Sequence, residues 1–358
     1  MNKKTKFSYD VYMFCFYFLF SLKAFCFILI TKYTTFGNTK DSEYYHAMAL
    51  KNEVVTNAVN YWPVILNFLN RNGMYDREIV NGLIFIISGL VIPLLIAKII
   101  TSFKTVDNVN KKYFWIIAIV VSLYPTIFVL SLDITRDIPM LLIFLIDILL
   151  LRCSLENKNY FIKGVFTILF ISLSIHLYDW REYLGISLIV SYFILILLSL
   201  KRITSPMILF FYMVCLVLFY KVGLLDPILS YRGAFGFEHG NSSIGIGLIN
   251  KSWIEFILLY LYSVFLQFFG FHLVNVGAVF LFILESLPVI MLLIFLEKNK
   301  SIIGGLEKYL LIFCLVYLTV WGLGNDNIGT AMRLRIFNYI AIFISAYMVF
   351  LKKKTYKI

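Results

Sequence analysis

Seven of the nine arginines in this chain are placed where they could do chemistry. Arg152 and Arg202 fall among the lysines of short basic loops. Arg71, Arg77, Arg136, Arg181, Arg232, Arg333 and Arg335 map instead to the opposite loops and helix ends. A guanidinium is a rigid fork of donors that matches phosphate or carboxylate two bonds at a time. Charges at the helix ends of a membrane protein are functional hypotheses by default. The simpler reading pairs each arginine with a nearby acid: Arg136 with Asp133 or Asp137, and Arg181 with Asp179 or Glu182. Arg232, Arg333 and Arg335 have no acid within five residues. As a set, the outward arginines call for an anionic ligand. The phosphate or pyrophosphate head of a polyprenyl-linked sugar fits, with its lipid tail lying between helices.

Carboxylates and imidazoles accompany them. Lys40-Asp41-Ser42-Glu43-Tyr44-Tyr45-His46 sets Asp41 and Glu43 just beyond the first apolar segment, where a carboxylate can take a proton from a hydroxyl or share a divalent metal. The alternative is a solvated loop with a helix cap at Asp41 or Ser42. Tyr44, Tyr45, Tyr61 and Trp62 suit sugar stacking or an interfacial belt. His176-Leu177-Tyr178-Asp179-Trp180-Arg181-Glu182 is a dense polar and aromatic junction. Glu238-His239-Gly240-Asn241 lies in a Gly-rich stretch. Glu285 and Asp147 fall inside apolar segments, where a carboxylate must be paired or neutral. Ser, Tyr or Lys23 on neighbouring helices could satisfy them.

The elements that position these residues follow from composition. Hydrophobic residues make up 61% of 358 and charged residues 15%, against roughly 25% charged in soluble domains. Apolar runs of bilayer length recur from end to end, without the alternation of a β-barrel. The hydropathy pattern predicts helices at about 9–31, 79–100, 113–131, 137–151, 160–177, 183–200, 205–224, 276–296, 308–323 and 332–350. A re-entrant or interfacial helix is expected at 252–270. The expectation is thus an all-α, polytopic integral membrane protein of about ten spanning helices and one partial one. It forms a single transmembrane domain, 1–358, with long outer loops at about 32–78 and 225–254. The first segment is too long for a signal peptide and reads as a retained helix. The net charge of +12 comes with lysines clustered between apolar runs, which is the positive-inside pattern rather than a nucleic-acid surface. Both termini are then cytoplasmic. The five cysteines have no metal-type spacing, so disulfides and zinc are not expected.

Several segments resemble bacterial O-antigen (Wzy-type) and capsule polysaccharide polymerases: Asp41 to His46, Tyr124-Pro125 followed by Ser131-Leu132-Asp133-Ile134-Thr135-Arg136-Asp137, Glu285-Ser286-Leu287-Pro288, and Gly329-Thr330-Ala331-Met332-Arg333-Leu334-Arg335. The resemblance covers most of the chain in layout and short patches in sequence. It implies a GT-C-like layout in a bacterial inner membrane, with the active site on the outer face. It also implies a polyprenyl-pyrophosphate-linked oligosaccharide as donor and acceptor, with no cofactor. Carried over by position, Arg136, Arg333 and Arg335 would stabilise the leaving pyrophosphate. Arg181 and Arg232, with Asp137, would hold the second, and Asp41, Glu43, His176 or His239 would supply the base or contact substrate. A chain-length regulator and a flippase are the implied protein partners, beside membrane lipids. One departure is that the largest outer loop is the early one. That feature looks more like glycosyltransferases using polyprenyl-phosphate sugars, where a divalent metal is an option. A lipid-linked glycan flippase is the third reading, though the charges sit at outer ends rather than along a midplane.

Overall fold

The computed structural model describes residues 3–37, 39–56, 58–101, 108–199, 205–236 and 243–355. Among them every regular element is helical, apart from one isolated bridge between Ser243 and Asn327. Among the described residues seven helices are long and apolar enough to cross a membrane, or eight if one bent pair counts as a span. The protein is therefore a membrane-embedded helical protein. It folds into two compact units, Met1–Gly185 and Ile186–Ile358.

The first unit opens with α1 (Lys3–Tyr33), whose Phe14, Phe18, Leu22, Phe25 and Ile28 are exposed while Phe16 is buried against Trp115. The segment expected as an outer loop at 32–78 is folded. It holds α2 (Lys40–Ala49) and α3 (Tyr61–Arg71), with Tyr45, Met48, Ala49, Trp62 and Leu66 buried. Its caps are local: Thr39, rather than Asp41 or Ser42, closes a capping box with Ser42 at the start of α2, and Asn60 caps α3.

Next, α4 (Arg77–Ile86) and α5 (Ile92–Ile100) run on as one span through a π-turn at Ile87–Val91. Pro93 follows that turn; it has no N–H to give, and the wider turn absorbs the lost bond. Gly89 sits in the turn, and a Cβ there would lie 3.0 Å from the Phe20 ring of α1.

The helix expected at 113–131 is broken into α6 (Asn108–Ser122) and α7 (Pro125–Val129). Pro125 bars Tyr124 from helical geometry. The Ser122 carbonyl at the break accepts a hydrogen bond from Lys23, whose ammonium also lies over the Phe128 ring at 5.4 Å. Then α8 (Asp137–Glu156) and α9 (Tyr160–Trp180) pack as an antiparallel hairpin. Three polar rungs join them: Asp137 with Arg181 just past the end of α9, Asp147 with Ser174 (2.7 Å), and Ser154 with Thr167 (2.7 Å). The apolar faces between the rungs bury Ile138, Leu141, Phe144, Leu145 and Ile148.

The boundary between the units falls within α10 (Glu182–Ser199). In the second unit, α11 (Ser205–Lys221) and α12 (Asp226–Gly236) form the bent pair, turned by 77° between Phe211–Lys221 and Asp226–Gly233. Part of the expected 225–254 loop is thus helix. Then come α13 (Trp253–Phe268), α14 (Val276–Leu281), a π-turn at Phe282–Ser286, α15 (Leu287–Lys298), α16 (Gly305–Gly324) and α17 (Ile328–Thr355). Pro288 follows the second π-turn as Pro93 follows the first.

Helices α15 and α16 pack on α17, and α12 and α13 pack on α16. Lysines gather at one end of this bundle: Lys352 pairs with Glu307, and Lys353 donates to Asn299 Oδ1 at 2.8 Å. The other end holds Asp326, Arg335 and Arg232.

Candidate functional site

Two arginine-centred clusters are built, one in each unit. In the first unit, Arg136 occupies the turn entering α8. Asp133 and Asp137 flank it in sequence, yet more distant arginines take both acids. Arg77, at the start of α4, reaches Asp133 Oδ2 at 2.8 Å and Glu43 Oε1 at 2.8 Å, tying α2 to the turn before α8. Asp133 also caps its own turn by accepting from the Ile134 N–H at 2.7 Å. Arg181, between α9 and α10, reaches Asp137 at 3.1 Å with both side chains buried.

Arg136 is left with one hydrogen bond, from Nη1 to the Trp180 carbonyl at 3.1 Å. Among the described residues no carboxylate lies within ion-pairing distance of it, and its Nε is buried without a partner. Burial first, and then the neighbouring Arg181 charge, pull this guanidinium below its ordinary pKa. An arriving anion would offset both effects. The site is therefore a half-buried cation with no carboxylate at ion-pairing distance among the described residues.

Aromatic side chains gather on Trp180, whose carbonyl Arg136 meets. Trp62 donates its indole N–H to the Ile134 carbonyl at 3.0 Å and lies 5.7 Å from the Trp180 ring. Tyr61 packs against Trp180 at 6.3 Å and perpendicular to His176 at 5.5 Å. His176 Nε2 receives the Trp180 indole N–H at 3.2 Å. Gly185 lets α10 approach α9 here: a Cβ would lie 2.5 Å from the Ser174 carbonyl oxygen and 2.5 Å from the Tyr178 nitrogen.

In the second unit, Arg232 of α12 spends all five N–H bonds inside the protein. Nε donates to the Ile246 carbonyl (2.9 Å), Nη1 to those of Gly322 (3.0 Å) and Asn325 (2.7 Å), and Nη2 to Ser263 Oγ (2.9 Å) and Asp326 Oδ1 (2.6 Å). Asp326 also accepts from Ser243 Oγ, Gly245 N and Ile246 N. The pair clamps the segment after residue 242 onto the turn between α16 and α17.

Arg335, about two turns into α17, is buried and meets Glu285 of the second π-turn at 3.4 Å. Its guanidinium also lies over the Tyr339 ring at 5.2 Å. The Tyr339 hydroxyl donates to the Phe268 carbonyl and shares a 3.0 Å hydrogen bond with Ser286 Oγ.

Of the residues singled out in the sequence, the first unit thus brings together Arg136, Asp137, Arg181 and His176. Glu43 is exposed and held by Arg77, and Asp41 is half-buried on α2. Arg232 is a structural clamp with no donor left for a ligand, and Arg335 is paired with Glu285. Arg333 is half-buried in the first turns of α17. His239 lies outside the described residues. Among the described residues no three His, Cys, Asp or Glu side chains are placed to hold a metal. Sequence reasoning missed Asp326 and the role of Trp180. Asp326, between two asparagines at a helix junction, was the available signal for the clamp. No protein-family model, curated protein or solved structure matches this chain.

Proposed function

We propose that the protein is a membrane glycosyltransferase that polymerises polyprenyl-pyrophosphate-linked oligosaccharide units into a surface polysaccharide at the outer face of a bacterial inner membrane. The observation that carries this reading is Arg136: a half-buried guanidinium whose flanking acids serve Arg77 and Arg181 instead. Arg136, with Arg181 beside it, binds the pyrophosphate. As the acceptor hydroxyl attacks the donor anomeric carbon, the bond from that carbon to the pyrophosphate oxygen breaks. Polyprenyl pyrophosphate leaves with the electron pair, and a carboxylate takes the hydroxyl proton, with Asp41 the first candidate. Fixed cations where charge develops are worth about 10²–10³ in rate.

In this reading α6 with α7, α10, and the α11–α12 pair complete ten spans in a GT-C-like layout, and α13 is the partial one. The lysine-rich end of the second unit is cytoplasmic, as are both termini. A polyprenyl-phosphate-sugar transferase is the second reading. It is favoured by the folding of the early outer segment into α2 and α3, where Asp41 would act as base or share a divalent metal.

The test is the glycan ladder of cells lacking the protein and complemented with variants. Arg136→Ala and Arg136→Lys should each collapse the ladder toward a single repeat unit while the protein is still made. The lysine variant fails because it loses the fork. A ladder of normal length in both variants removes the electrostatic proposal. Loss of one side-branch sugar from an otherwise normal ladder would favour the second reading.

A further inference from the structure

The Trp180 indole N–H can only donate, so the His176 Nε2 that receives it must present a lone pair. The proton of the neutral ring is then on Nδ1. Nδ1 has no hydrogen-bond partner among the described residues and is not one of the buried atoms lacking one. His176 is thus a donor through Nδ1, and its Nε2 is engaged for as long as the Trp180 bond holds.

Beside it stands Tyr61. Trp62 is 7% and Trp180 3% exposed, so neither offers a free face, whereas Tyr61 is 39% exposed. An open aromatic face takes the C–H side of a sugar ring, and a neighbouring N–H takes one of its hydroxyls. Arg136 reaches the same group of residues through the Trp180 carbonyl.

We propose that this site seats a glycosyl phosphate as one unit, with the phosphate on Arg136 and the sugar ring attached to it packed on Tyr61 and hydrogen-bonded by His176 Nδ1–H. The substrate class is therefore the sugar bonded directly to the phosphate, rather than a distal sugar of the repeat. This subsite rests on the anion-binding role given to Arg136 above.

The experiment titrates the purified full chain in detergent, following tryptophan emission, with inorganic phosphate, free glucose, and the 1-phosphates of glucose, galactose and N-acetylglucosamine. At least one sugar 1-phosphate should bind about tenfold more tightly than inorganic phosphate, which is what one stacked ring and one hydrogen bond supply. Tyr61→Ala should erase that preference, and Tyr61→Phe, which keeps the ring, should retain it. His176→Asn places an amide donor where Nδ1 stood and should keep the preference. His176→Gln mimics Nε2 instead, preserves the Trp180 bond and should lose it. Arg136→Gln should lose phosphate and sugar phosphate alike. Sugar 1-phosphates binding no better than phosphate, or the glutamine variant outperforming asparagine, would overturn the subsite and leave the anion reading standing. No binding of any phosphate by the wild-type chain would overturn both.

Discussion

Arg232 separates a structural clamp from a ligand-binding arginine, and the difference is measurable. Replacing it with methionine keeps much of the side-chain volume and removes all five donors. Asp326, which is 2% exposed, then keeps its Ser243, Gly245 and Ile246 donors but loses its only cation among the described residues. Breaking one side of a buried ion pair costs about 3–5 kcal/mol. The Ile246 and Gly322 carbonyls lose this donor as well, which adds to the cost without summing simply. At roughly 2–4 °C per kcal/mol for a unit of this size, the thermal midpoint should fall by about 10 °C. The assay is tryptophan emission of the purified protein in detergent during a temperature ramp. Arg232→Met with Asp326→Leu should regain at least half of the loss, because a buried pair replaced whole by apolar groups costs little. The reasoning is refuted if Arg232→Met melts within about 2 °C of the wild type. If that stable variant also stopped chain extension, Arg232 would be a ligand-binding residue after all.

Three further outcomes follow from contacts in each unit. Gly185→Ala drives a Cβ against the backbone of α9 and should cost about 1–3 kcal/mol, read as a lower melting midpoint, because backbone cannot move aside as a side chain can. Of the two acids on Arg77, Glu43 is 57% exposed and Asp133 3%, so Glu43→Gln should cost under about 1 kcal/mol and Asp133→Ala about 3 kcal/mol; equal effects would contradict the burial argument. Gly270 has φ +69°, and a Cβ there would lie 2.6 Å from Arg335 Nη1, so Gly270→Ala should displace Arg335 from Glu285 and lower the melting midpoint, whereas Gly277→Ala, where the nearest atom is 3.3 Å away, should not.

Seven of the ten expected spans were legible along the chain because what makes them is local. Apolar run length, and prolines such as Pro125 that stop a helix, act within a few residues. Expected segments at 137–151, 160–177 and 308–323 therefore sit inside helices Asp137–Glu156, Tyr160–Trp180 and Gly305–Gly324. The folding of 32–78 was less legible, since α2 and α3 are short and owe their burial to partners elsewhere in the unit. The partners of the arginines were not legible along the chain. Proximity in sequence assigned Asp133 and Asp137 to Arg136, while the fold gave them to Arg77 and Arg181, 56 and 44 residues away. Arg232 and Arg335, with no acid nearby in sequence, found Asp326 and Glu285 across 94 and 50 residues. A buried charge selects its partner by where helices cross, and that crossing is set by the packing of whole faces. Hydropathy thus marked which segments are long and apolar enough to cross a membrane, and only the tertiary structure decided which acid each buried arginine meets.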